Sequence, residues 1–158
     1  MSPISIEHVR LTVDRPFDVF RAAFEGQLGH FDPSAYEELA HGDPQAVRAR
    51  LETMTGPSGF MLFRTSNHGA VLRLVGRPRK AMQYLLGNPL IAVEMTRHAI
   101  GAALYAPLRV LIYEVEGGET CVEYDLPSSL FGQFGNEDVD RVAESLDRKL
   151  EALIAAAS

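Results

Sequence analysis

Residues 87–114 read GNPLIAVEMTRHAIGAALYAPLRVLIYE, and how this stretch divides decides the fold. Gly87 suits the C-terminal cap of one element and Asn88 the N-cap of the next. Pro89 suits a first helical turn, where its missing N–H costs nothing. A helix is expected from Pro89 to about Arg97. Pro107 then opens an apolar strand, LRVLIYEVE. The chain passes from helix to strand with Thr96, Arg97 and His98 at the corner. Those three and Arg109 have no structural necessity in this reading.

Downstream, Gly117-Gly118 turns the strand back into ETCVEYD, where Thr120, Val122 and Tyr124 share a face. LPSSLFGQFG reads as a loop. Asn136 caps a final helix whose first turn carries Glu137, Asp138 and Asp140, well placed against its positive end. Val139, Val142, Leu146, Leu150, Leu153 and Ile154 form its apolar stripe.

Upstream, Val9, Leu11 and Val13 alternate as a strand. Ile4 and Ile6 are out of phase with them, which suggests a bulge near Glu7. Phe17, Phe20, Phe24, Leu28 and Phe31 follow at helical spacing, an aromatic stripe read as core, with the wall of a ligand pocket as its alternative. Asp32-Pro33 and Asp43-Pro44 each open a short helix, ending at Gly42 and Gly56. GFMLFRTSNHGAVLRLVG reads as a hairpin with Asn67, His68 and Gly69 at its turn. Arg79 to Leu86 reads as a helix with Met82, Leu85 and Leu86 inward. Tight hairpins alternating with helices imply an α+β fold: a curved antiparallel sheet of about five strands, helices mainly on one face.

The 158 residues suit one domain, with an N-terminal strand and helices over 1–56 and a hairpin, helix, hairpin, helix core over 57–158. A chain this long buries about 68–70% of its unfolded surface, enough for a real core. The net charge of −6 argues against nucleic acid as a partner. The start, MSPISIEHVR, lacks the apolar run of a signal peptide. No stretch reaches the roughly 20 apolar residues that span a bilayer. Cys121 is the only cysteine, so an internal disulfide and a cysteine-cluster metal site are excluded, and a reducing, cytoplasmic setting is expected.

No phosphate-loop, dinucleotide, zinc-protease or nucleophile-elbow motif is present, and no pattern names a cofactor. The histidines at 8, 30, 41, 68 and 98 show no metal-ligand spacing, so no metal is expected. Arg73, Arg77, Arg79 and Lys80 cluster; they read as a solvated corner or, with free N–H groups, an anion site. Cys121 has no base that the sequence places beside it. Arg109 sits between Leu108 and Val110, where burial without a partner would be costly. It pairs with Glu123 or Asp125 across the hairpin, or it converges with His98 and Tyr124 on a pocket walled by Phe20, Phe24 and Leu104.

The break GNP at Gly87–Pro89, the strand APLRVLIYE at Ala106–Glu114, the GG turn, VEYDLPSSL to Leu130 and the final LDRKLEAL resemble the domain-of-unknown-function 302 (DUF302) family over roughly residues 60–154. Asn88, Pro89, Pro107, Arg109, Tyr124, Asp125 and Pro127 carry its motif. The resemblance implies a TATA-binding-protein-like α+β fold and brings no catalytic residues with it.

Three functions compete. A binding module for a small apolar or amphipathic molecule fits the Phe-rich helix and the lack of catalytic motifs. An enzyme would use His98 as acid or base, oriented by Asp125 or Glu114 within about 3.2 Å. A structural homodimer would cover FMLF at Phe60–Phe63 and VLIY at Val110–Tyr113, which are apolar on both alternating faces, unlike a strand with one wet face.

Overall fold

The computed structural model describes residues 2–158. Six strands form one sheet in the order β1-β6-β5-β4-β3-β2. They are β1 (His8–Val13), β2 (Gly29–His30), β3 (Met61–Ser66), β4 (Ala81–Gly87), β5 (Leu108–Glu114) and β6 (Thr120–Asp125). Seven α-helices join them: α1 (Phe17–Gly26), α2 (Ser34–His41), α3 (Pro44–Met54), α4 (His68–Val71), α5 (Pro89–Thr96), α6 (Pro127–Phe131) and α7 (Glu137–Ala157). The α+β class expected from the sequence is the one found. β2 is a strand the sequence did not announce, and its two residues pair in parallel with β3. All other pairings are antiparallel.

The caps read from the sequence form. Asn88 Oδ1 accepts from the Leu90 N–H at 2.9 Å, and Asn136 Oδ1 from those of Asp138 and Val139. Asp43 accepts from the Gln45 N–H and Asp32 from that of Ser34. Each satisfies a donor that a helix start leaves open.

Four local expectations are corrected. β1 begins at His8 in unbroken register with β6, so there is no bulge near Glu7; Ile4 and Ile6 precede the strand and stay exposed. Asn67 caps α4 instead of turning a hairpin, and residues 68–75 are helical and 3-10, leaving Leu74 and Val75 in solvent. Residues 81–87 are the strand that pairs with β3, not a helix. Met82, Tyr84 and Leu86 are its buried face, and sheet partners on both sides satisfy its backbone. LPSSLFGQFG contains α6 and a 3-10 turn at Gly132–Phe134, and it buries Leu130 and Phe131.

Register defines the two faces. Val9, Tyr124, Val110 and Tyr84 lie opposite one another across four strands. They face α1, α5, α6 and α7 in the main core with Phe20, Phe24, Leu146 and Leu150. A parallel row of Arg10, Glu123, Leu111, Gln83 and Ser66 faces the other side. FMLF is apolar on both faces for a reason inside the chain. Phe60 and Leu62 join the main core, while Met61 and Phe63 pack in a second cluster against Ala35, Val47 and Leu51 of α2 and α3. In VLIY, Leu111 and Tyr113 keep a half-exposed position on the open face.

Gly29 and Gly56 permit a close chain crossing at the end of α3. A Cβ on Gly29 would stand 1.7 Å from the Met54 carbonyl oxygen, and one on Gly56 would stand 2.2 Å from the Gly29 nitrogen. Only glycine lets two backbones approach so nearly.

Candidate functional site

Strand alternation separates the residues that sequence reading joined into one pocket. Arg109 points to the open face, its side chain 62% exposed and its Nη2 3.7 Å from Asp125 Oδ2. The carboxylate pairing across the hairpin is therefore the arrangement present. Tyr124 is buried on the helix-covered face, and burial raises its hydroxyl pKa. Phe20 and Phe24 are fully buried in the main core, Phe24 edge-on to Tyr84 at 5.1 Å. Leu104 is 80% exposed on the 3-10 segment Ile100–Tyr105. It shares a hollow with Arg109, Pro107 and Asp125. His98 lies apart from these, with Nε2 3.8 Å from Asp138 Oδ2 at the start of α7. Asp125, the expected orienting group for His98, instead meets His8 and Arg109.

A charge network that sequence reading missed occupies the open face of β1, β5 and β6. His8 Nε2 lies 2.9 Å from Glu123 Oε1, and its Nδ1 3.0 Å from Asp125 Oδ1. Arg10 Nε donates to Glu123 Oε1 at 2.8 Å. The Glu123 pKa falls to about 2, chiefly through the hydrogen bond with His8, then those with Tyr113 and Arg10. The two carboxylates in turn raise the His8 pKa, Glu123 first. His8 and Arg10 alternate on β1 as Glu123 and Asp125 do on β6, so the signal was visible; the missing knowledge was that strands over 100 residues apart would pair. Most of these groups are well exposed, so water and salt screen the pairs and they contribute little to stability. Among the described residues no metal-ligating cluster of His, Cys, Asp or Glu is found.

A different hollow, in two adjoining parts, lies beside α5 and the Ala106–Pro107 corner. Its inner part, about 80 Å³, is lined by Phe63, Asn88, Pro89, Ile91, Met95 and Pro107, among others. Its outer part, about 470 Å³, runs between α2, α3 and α5 past Leu39, Val47, Leu51 and Val93. Tyr36, Pro89, Ala92 and Ala106 border both parts. Gln45, Arg48 and Thr96 add polar groups to the outer part. The sequence signals were the GNP break and the Ala106–Pro107 corner. α2 and α3 contribute the remaining wall, which periodicity alone could not bring into contact with α5.

No described helix is long and apolar enough to cross a membrane. No curated protein matches the chain. Among solved structures, the crystal structure of the uncharacterized conserved protein DUF302 from Bacillus stearothermophilus shares the fold. The TM-score is 0.66 at 14% identity, covering 96% of this chain and 98% of that one. That coverage includes the N-terminal strand and helices, beyond the segment where the sequence resemblance was read. The family model for the domain of unknown function DUF302 matches residues 36–157, from α2 through α7, so the chain belongs to the DUF302 family.

Proposed function

We propose that the protein is a binding module for a small apolar or amphipathic molecule held in the hollow between α2, α3, α5 and the Ala106–Pro107 corner. The observation that carries this is a narrow apolar cleft that shares four lining residues, Tyr36, Pro89, Ala92 and Ala106, with a wider hollow of about 470 Å³. Ligand sites typically measure about 300–1,000 Å³ and combine apolar walls with a few polar groups. The single cysteine, with no second thiol to pair, supports a reducing, cytoplasmic setting.

Octanoate and octanol are suitable probes. Ligand at 100 times its Kd stabilises a folded protein by about 2.7 kcal/mol, so a bound probe raises the thermal midpoint. Ala92→Phe, which narrows both parts of the hollow, is expected to abolish that rise. No rise in the parent protein at millimolar probe, or an equal rise in the variant, ends the proposal.

A homodimer through the open sheet face is the second reading. Leu85 and Leu111 are half-buried there without a covering helix, and Arg10, Arg109, Glu123 and Asp125 give the same face both signs of charge. Such a face can match its own copy about a two-fold axis. Light scattering at micromolar concentration is expected to give twice the chain mass; a monomer mass rejects this reading.

A further inference from the structure

Three of the four basic residues singled out in the sequence, Arg73, Arg79 and Lys80, line a further hollow beside α1. It measures about 230 Å³ and lies between α1, the Asn67–Arg73 segment and the first residues of β4. Arg21, Arg73, Arg79 and Lys80 line it against one carboxylate, Asp18. Phe17 and Met82 supply apolar wall. In a chain of net charge −6, this concentration of cations needs a reason.

Three of the four cations are held in place while keeping donors to spare. Arg79 Nη2 donates to the Glu114 carbonyl at 3.0 Å, and its guanidinium lies 5.7 Å from the centre of the Tyr113 ring. Arg21 donates through Nε to Glu25 and to the Tyr84 hydroxyl. Neither of its Nη groups makes a hydrogen bond among the described residues. Lys80 donates to Asp18 Oδ2 at 2.5 Å and sits 5.9 Å from the Phe17 ring. An ammonium has three donors, so more remain. Arg73 has no ion-pair partner among the described residues. Anchored guanidinium forks lose little freedom on binding and match the geometry of phosphate oxygens.

We propose that this hollow binds a small phosphorylated molecule through its phosphoryl group, with Arg73 and Lys80 as direct ligands and Asp18 as a competitor for Lys80. The volume falls below the usual range for drug-sized ligands, which fits a phosphoryl group carrying only a few further atoms. A polyanion such as nucleic acid fits poorly, because the acidic remainder of the surface would repel it. The hollow shares no lining residue with the apolar one between α2, α3 and α5, so either assignment can fail without the other.

Calorimetric titration with inorganic pyrophosphate at low ionic strength tests this, with a 12-base single-stranded DNA as competitor. Arg73→Gln is expected to weaken pyrophosphate binding about tenfold or more, the value of one charged hydrogen bond. Its thermal midpoint should match the parent's, since the side chain anchors nothing. Asp18→Asn is expected to tighten binding several-fold by releasing Lys80. A merely structural role for Asp18 would not produce a gain, so the two variants together read the site. No heat at millimolar pyrophosphate, equal affinity in Arg73→Gln, or unchanged or weaker affinity in Asp18→Asn overturns the proposal. So does displacement of pyrophosphate by the DNA at lower concentration, which would mark a polyanion surface instead.

Discussion

Phe24→Ala is expected to lower stability by about 3–5 kcal/mol, the usual cost of removing a buried aromatic ring and leaving a cavity. Phe24 is fully buried, edge-on to Tyr84 and next to Phe20 in the main core. Tyr84 in turn donates its hydroxyl to Glu25 Oε1 at 2.6 Å and accepts from Arg21 Nε. A hole beside Tyr84 would loosen the packing that keeps those polar groups aligned. In a chain of this size the loss should bring the thermal midpoint down on the order of 10 °C or more. Urea unfolding followed by circular dichroism measures it. Phe24→Leu should recover much of the loss, because it restores most of the volume. A cost below about 1 kcal/mol would place Phe24 at the wall of an adaptable cavity instead of in a close-packed core.

Asn88→Ala carries the second large effect. This side chain performs two tasks from one position between β4 and α5. Its Oδ1 caps α5, and its Nδ2 donates to the Gly59 carbonyl at 3.0 Å and to Thr55 Oγ1 at 3.3 Å. Asn88 thus ties the end of α3 and the turn before β3 to the start of α5. Losing the cap costs about 1 kcal/mol, and leaving partly buried acceptors without a donor costs about 1–3 kcal/mol more. The expected total is about 2–4 kcal/mol. Asn88→Ser should restore the cap but not the donors and recover about 1 kcal/mol. If serine and alanine prove equal in urea unfolding, the cap contributes nothing and the account of Asn88 is wrong.

Where a signal was local, the sequence disclosed it. Asn136, Asn88 and Asp43 each stand directly before a helix, so the cap is written within three or four residues. The alternation of β5 and β6, closed by two glycines with positive φ, is equally local. Residues 81–87 were misread because Met82, Leu85 and Leu86 also fit helical spacing. Tyr84, fully buried between β3 and β5, makes Met82-Tyr84-Leu86 the true period. That distinction needs the neighbours, and both lie elsewhere in the chain. The candidate site was less legible for the same reason. His98, Arg109 and Tyr124 are near one another in sequence order of elements, yet one residue of alternation sends Arg109 and Tyr124 to opposite faces. The groups that do come together, His8 with Glu123 in a hydrogen bond and Tyr36 with Pro89 on the lining of one hollow, come from segments that only the finished topology joins.

The strand order leaves the sheet with two outer margins, and each is built to discourage further growth. An unpaired strand edge is a template on which another chain can add, the first step toward aggregation. At one margin β2 offers only two residues before Asp32-Pro33 turns the chain into α2. No incoming strand can gain more than a brief foothold there. At the other margin β1 carries His8 and Arg10, held on the open face by Glu123 and Asp125. Strand addition would bring foreign side chains beside these charges and disturb their pairing. The parallel two-residue strand and the missed charge network thus share one effect: they keep a six-stranded sheet from becoming a seven-stranded one with another molecule.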